Sequence, residues 1–178
     1  MKLEGQKIIG NRIILKPISS ADTLDIIKWR NNPNVKCNFI FREDFTVEMH
    51  EKWLKTKVAS GEVVQYIIII RDNSKHIGSV YFRDIDSVNK SAEFGIFIGD
   101  KESRGHGFGL ETTTLFTEFG FDNLNLHRIF LRVLEKNKIA LSSYENAGFK
   151  REGLLRDMVY IDGDYNNVIF MSKIKGLD

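Results

Sequence analysis

Arg104-Gly105-His106-Gly107-Phe108-Gly109 joins an apolar run that reads as a strand, Ala92 to Ile98, to a run that reads as a helix, Leu110 to Phe121. Glycines at such a junction let the chain turn tightly and keep side chains out of the space above it. The first amides of the helix then face outward without partners, with the helix dipole behind them. That arrangement suits an anion, most often a phosphate. A plain structural turn is the competing reading of the loop taken alone.

Upstream of the loop, Ile8 to Ile18 reads as a strand with a Gly-Asn turn inside it. Ser19 and Asp22 resemble a capping box for a short helix carrying Leu24, Ile26, Ile27 and Trp29, which Pro33 ends. A second helix is expected over Thr46 to Val58. Strands follow at Val63 to Ile70, His76 to Phe82 and Ala92 to Ile98, with Asp72 to Lys75 as a hairpin tip. Downstream, His127 to Leu134 reads as a strand and Asn137 to Ala147 as a helix. Gly153 to Ile161 and Asn166 to Ile174 form a last hairpin around Asp162-Gly163-Asp164. The order implies a mixed α/β fold in which hairpins make most of the sheet antiparallel.

The 178 residues, 42% hydrophobic and 28% charged, suit one globular domain spanning 1–178 with a sizeable core. A net charge of +2 gives no reason to expect wholesale nucleic-acid binding. With Cys37 alone, no disulfide can form within the chain. With histidines scattered at 50, 76, 106 and 127, no metal site is expected. Met1 to Gln6 holds no apolar signal core, and the longest apolar run, Tyr66 to Ile70, is too short to span a membrane. A cytoplasmic protein without a membrane partner is the expectation.

The second informative stretch runs from Asn137 to Phe149. Asn137 is a good N-cap, Gly148 a good residue just past the helix end, and Phe149 a suitable hydrophobic closer. Ala140, Tyr144 and Ala147 share one face, and the small residues leave room beside the ring for a slender ligand. The two stretches together resemble the GNAT superfamily of acyl-CoA-dependent N-acetyltransferases. The acyl-CoA signature R/Q-x-x-G-x-G/A is matched by Arg104, Gly107 and Gly109. The later signature N-x-x-A-x-x-x-Y-E-x-x-G-F is matched without a gap from Asn137 to Phe149. Ile13 to Pro17, Gly105 to Glu111 and Gly148 to Gly153 are similar to the branch that includes ribosomal-protein N-terminal acetyltransferases. Trp29-Arg30-Asn31-Asn32-Pro33 resembles members that acetylate amino-sugars.

The resemblance implies a central, largely antiparallel sheet of about seven strands flanked by about four helices, with a cofactor cleft between splayed strands. The cosubstrate would be acetyl-CoA, with no metal. Its pantetheine arm would bond backbone groups of the strand holding Ile96 and Ile98, and touch Asn137. Its pyrophosphate would sit on the loop from Arg104 through Gly105, His106, Gly107, Phe108 and Gly109 to Leu110. Tyr144 stands at the family's position for the acid that protonates the leaving thiolate. Glu93, charged in an otherwise apolar strand, is the candidate base; a carboxylate there can instead bond backbone or a neighbouring arginine. An alkyl ammonium has a pKa near ~10, so about one molecule in a thousand is nucleophilic at neutral pH and a proton acceptor helps.

Trp29, Arg30 and Asn31 are the candidate acceptor residues, with helix packing and a solvated helix end as the alternatives. The expected activity is acetyl transfer to a primary amine of a small molecule such as an amino-sugar. The alternatives are acetylation of a protein N-terminal α-amine and a non-catalytic acyl-CoA-binding module. A nucleotide-binding P-loop is excluded because no G-K-[ST] follows the glycines. A homodimer is plausible by resemblance only.

Overall fold

The computed structural model describes residues 6–177, and eight strands in it form one open sheet in the order β1-β2-β3-β4-β5-β6-β8-β7. β1 (Ile8–Ile9) and β2 (Ile13–Pro17) are the arms of a hairpin, where the sequence suggests one strand with a turn inside it. That division accounts for eight strands rather than seven. α1 (Thr23–Asn31) ends at Asn32, and Pro33 opens the short α2 (Pro33–Lys36). Proline fits the first helical position, where its missing N–H breaks no bond, and the Asn32 side chain accepts from the Asn34 N–H at 2.9 Å. This turn is the helix missing from the sequence reading.

α3 (Val47–Trp53) is capped by Thr46, which accepts from the Met49 N–H at 3.2 Å, and widens into a π-turn over Leu54–Val58. Then come β3 (Val64–Ile70), β4 (His76–Asp86), β5 (Ser91–Ile98), α4 (Phe108–Asn123), β6 (Arg128–Leu134), α5 (Lys138–Asn146), β7 (Lys150–Ile161) and β8 (Asp164–Ile174). The β7–β8 turn has positive φ at Asp162 and Gly163, 54° and 90°, as a tight hairpin requires. No helix among the described residues is long and apolar enough to cross a membrane.

Every neighbouring strand pair is antiparallel except β5 and β6, which run parallel. They pair only at Ser91–Arg128, Ala92–Ile129 and Glu93–Phe130. Beyond Glu93 and Phe130 the strands part, and the expected cleft opens between them.

The alternation of β5 sends Ala92, Phe94, Ile96 and Ile98 to the face covered by α4 and α5. There Phe82 stacks on Phe116 at 4.4 Å, within a cluster that includes Phe94 and Phe149. Phe97 goes to the opposite face, where Ile26 and Trp29 of α1 and Ile67 of β3 bury it with Phe39 and Phe45. Each such side chain contributes about 1.5–3 kcal/mol on burial, so both faces hold β5 in place while its free edge borders the cleft.

Candidate active site

At the mouth of the cleft, Gly107 is the N-cap of α4 with φ +80°, and Gly105 has φ +79°. L side chains rarely adopt that conformation, so glycine is required at this turn. The N–H groups from Gly105 to Leu110 find no acceptor among the described residues; the first bonded one is Glu111, which donates to the Gly107 carbonyl at 3.1 Å. These unpaired donors at the start of a 16-residue helix form a cradle whose geometry suits an anion.

Arg12, in the β1–β2 turn, braces the cradle. Its guanidinium donates to the His106 carbonyl at 2.9 Å and to Glu111 at 2.8 Å, and lies 4.9 Å from the centre of the Phe108 ring. The His106 ring itself is exposed. Beside the loop is a surface depression of about 310 Å³ whose lining includes Arg12, Lys75, His106 and Phe108. Arg104 points away from the cradle: its side chain donates to the carbonyls of Ile98 at 3.0 Å and of Gly99 and Asn34 at 3.4 Å. Arg104 thus closes the end of β5 and occupies the Ile98 carbonyl, while Ile96, Ile98, Phe108 and Leu110 pack their side chains against the core.

On the same face, the Asn137 side chain accepts from the Ala140 N–H at 3.2 Å and starts α5. The helix closes through Gly148, φ +90°, with Gly148 N–H to Glu145 carbonyl at 3.0 Å and Phe149 N–H to Tyr144 carbonyl at 2.9 Å. The closure pins Tyr144 against Phe149, ring centres 5.9 Å apart, and Phe94 meets the tyrosine edge-on at 6.2 Å. The Tyr144 hydroxyl has no hydrogen-bond partner among the described residues. Burial pushes the Tyr144 phenol up, with Tyr81 adding to the rise, so it keeps its proton at neutral pH and has an O–H available to donate.

Glu93 occupies the other face of β5 and is buried. Arg83 donates to it through Nε at 3.0 Å, with its Nη2 in ion-pair contact at 3.0 Å, and Arg132 donates through Nε and Nη2, both at 2.9 Å. Burial raises the carboxyl pKa, but the two arginines outweigh it and hold it below the ordinary glutamate value. Both oxygens are thus engaged, which fits a counter-ion to two arginines better than a proton acceptor. Next to it Tyr81, on β4, lies across Gly95: a Cβ on residue 95 would collide with the ring.

The Trp29-Arg30-Asn31 triplet divides by role. Trp29 is buried, edge-on to Phe97 at 6.3 Å. Asn31 spends both side-chain ends on Phe45, donating to its carbonyl at 2.9 Å and accepting from its N–H at 2.7 Å. Arg30 alone keeps free donors, between the Phe39 and Phe45 rings. Three contributors escape the sequence reading: Tyr81, Arg83 and Arg132. Arg132 left a signal, a charge inside the apolar run Ile129 to Leu134. Tyr81 left none, because its place depends on β4 lying beside Gly95.

Residues 12–150 match the acetyltransferase (GNAT) domain family. The chain is 28% identical to spermidine N(1)-acetyltransferase of Vibrio cholerae over 160 residues, 90% of this chain and 91% of that one. A crystal structure of the spermidine N-acetyltransferase from that organism, in complex with CoA and spermine, superposes with a TM-score of 0.87 at 26% identity, covering 92% of this chain and 96% of that one. A dodecameric structure of the same enzyme superposes with a TM-score of 0.80 at 27% identity, covering 92% and 94%. A candidate ribosomal N-acetyltransferase of Bacillus subtilis is 29% identical over 98 residues, 55% of this chain and 53% of that one.

Proposed function

The chain belongs to the GNAT acetyltransferase family, acyl-CoA-dependent enzymes, and on that footing we propose that it acetylates the primary amine of a small molecule such as an amino-sugar. The observation that carries this reading is the parting of β5 from β6 beyond Glu93–Phe130, with a cradle of free amides at its mouth and a free phenol beside it. When bound, acetyl-CoA supplies the activated acetyl group and a thiolate leaving group. The amides of Gly105 to Leu110 hold its pyrophosphate, and the unpaired edge of β5 near Ile96 runs alongside the pantetheine, with Asn137 near the other wall.

Tyr144 donates its hydroxyl toward the departing sulfur, whose thiol pKa is roughly ~8–9 by analogy with cysteine. It acts where charge builds, so its contribution falls on the transition state. The amine approaches from the face carrying Tyr81 and Glu93. Its excess proton passes to water there rather than to Glu93, whose oxygens are engaged by Arg83 and Arg132. Glu93 holds those two cations in position.

The relatives named for spermidine suggest a polyamine acceptor instead. That reading fits less well on a face where Arg83 and Arg132 share the Glu93 carboxylate and Arg30 has no ion-pair partner among the described residues. A protein N-terminus is the second enzymatic reading, supported by the partial likeness to the Bacillus subtilis protein. Because the Vibrio cholerae relative forms a dodecamer, we expect this chain to self-associate, a homodimer being the smallest unit; sedimentation velocity tests that.

The main test is thiol release from acetyl-CoA against a panel of amino-sugars, polyamines and N-terminal peptides. Turnover fastest with an amino-sugar is expected. Fastest turnover with peptides would move the assignment to protein N-termini. Acetyl-CoA binding with no turnover on any amine would make the chain a binding module.

A further inference from the structure

Arg30 is a cation without an anionic partner among the described residues. Its guanidinium lies 4.7 Å from the centres of both the Phe39 and the Phe45 rings, and its Nε is buried with no acceptor. No ion pair or hydrogen bond engages its side chain among the described residues. The ionisable groups that perturb it are the Tyr81 phenol and the Arg83 guanidinium, and no carboxylate is among them.

The sandwich is held rigid. Asn31 grips the Phe45 backbone with two hydrogen bonds, and Phe39 packs edge-on against Phe97 at 5.6 Å. Cation–π contact with two rings holds the guanidinium in place but accepts none of its N–H hydrogen bonds in the ordinary sense, leaving those donors for an oxygen acceptor. Burial of an unpaired cation opposes folding, and a methionine would fill the same slot without that penalty. Elsewhere on this face the acids are already engaged or exposed: Arg83 and Arg132 share the buried carboxylate of Glu93, the buried Asp22 pairs with Lys16 at 2.6 Å, and Asp84, 3.8 Å from Arg83, is 69% exposed. A planar guanidinium with free donors is suited to a phosphate or a carboxylate.

We infer that the acceptor carries an anionic group, a phosphate or a carboxylate, in addition to its amine, and that the Arg30 guanidinium receives it. The inference rests on the reading that this face of the sheet takes the acceptor. It separates this chain's substrate from a polyamine, which brings only positive charge to three arginines.

The test compares matched acceptors in the thiol-release assay: glucosamine 6-phosphate against glucosamine for the phosphate source, β-alanine against β-alanine amide for the carboxylate source, and spermidine. One anionic member is expected to exceed its neutral partner in kcat/KM by about tenfold or more, the scale of a charge-assisted pair. Arg30→Met, which keeps an unbranched stem between the rings, should bring that ratio close to one, and Arg30→Lys should restore part of it. A second readout needs no turnover. In the CoA-bound protein labelled with ¹⁵N-arginine, the Arg30 Nε resonance should move on addition of glucosamine 6-phosphate or β-alanine and stay in place with glucosamine or spermidine. If no amine in the panel is acetylated, the proposed function fails, and the Arg30 resonance still decides the anion site. A preference for spermidine, a ratio that Arg30→Met leaves unchanged, or an Arg30 resonance unmoved by either anion would overturn the inference.

Discussion

Tyr81 and Gly95 are register partners on β4 and β5, and the tyrosine ring occupies the space that a side chain on residue 95 would need. The phenol can cross β5 only because position 95 is bare, and it crosses toward the cleft that Tyr144 borders from the other face. Gly95→Ala should therefore displace Tyr81, at a stability cost of about 1–3 kcal/mol for overpacking, and should lower turnover as well. Steady-state kinetics beside a urea melt checks this; full activity in a destabilised variant would show that the ring's position is irrelevant to the reaction.

Tyr144→Phe should retain acetyl-CoA affinity, because the ring still packs between Phe94 and Phe149. It should lower kcat and kcat/KM together by ~10²–10⁴-fold, the usual effect of losing one acid. Kinetics within about threefold of wild type, well outside that general-acid range, would leave Tyr144 as a packing residue.

Gly107→Val places a branched side chain at φ +80°. Strain of about 1–3 kcal/mol is expected in the turn, and the amides that the turn aims outward lose their alignment. Calorimetry on the folded variant should show CoA affinity falling by more than the melting temperature suggests. Near-normal affinity would make the loop a plain turn.

Glu93→Gln removes the charge that two arginines share. Arg83 and Arg132 are each about a third exposed, 38% and 34%, so water takes part of the load, and the expected loss is about 1–3 kcal/mol. The glutamate pKa is lowered in the fold. Its stabilisation is therefore fully present above the unfolded value, about 4.3, and is lost as pH falls through the depressed folded value. The glutamine variant should lack that acid dependence while its pH–rate profile keeps the wild-type shape. A variant that is slow at neutral pH and recovers toward wild type at high pH, where the amine deprotonates unaided, would restore Glu93 as the base.

His50 is buried, with Nδ1 2.9 Å from the Thr23 hydroxyl and Nε2 without a partner. Burial lowers its pKa; Arg30 adds to the lowering, while Asp22 and Glu51 oppose it. The unfolded chain then binds a proton near pH 6.5 that the folded chain refuses. Stability should fall as pH drops below that value, by at most about 1.4 kcal/mol per unit for this group. Urea melts at several pH values, compared with His50→Gln, isolate the effect; an equal slope in the variant would assign it elsewhere.

Sequence carried the fold wherever the signal was local. The Asn137 cap, the Gly148 closure and the glycine loop each write their geometry into neighbouring residues, and each stands where expected. The β1–β2 division and α2 were missed because a two-residue strand and a one-turn helix carry no periodicity. The site was legible on the α5 side and obscure on the α1 side. Tyr144 could be placed from its own helix, whereas the Glu93 clamp needs Arg83 and Arg132 from two other strands. Likewise Arg12 meets Glu111 across 99 positions, a contact that no short pattern announces.

The two outer edges of the sheet are poor templates for another strand. β1 is two residues long, and β7 loses register against β8 at Arg151/Gly153 and again at Leu155/Val159, with Asp157 turned to φ +51°. Short or broken edges of this kind discourage the edge-to-edge pairing that leads to aggregation. The sheet's longer stretch of strand edge without a strand partner lies inside instead, along β5 past Glu93, where α4 and α5 pack behind it. Stickiness that would be a hazard at the rim is thereby confined to the interior cleft, out of reach of another sheet's edge.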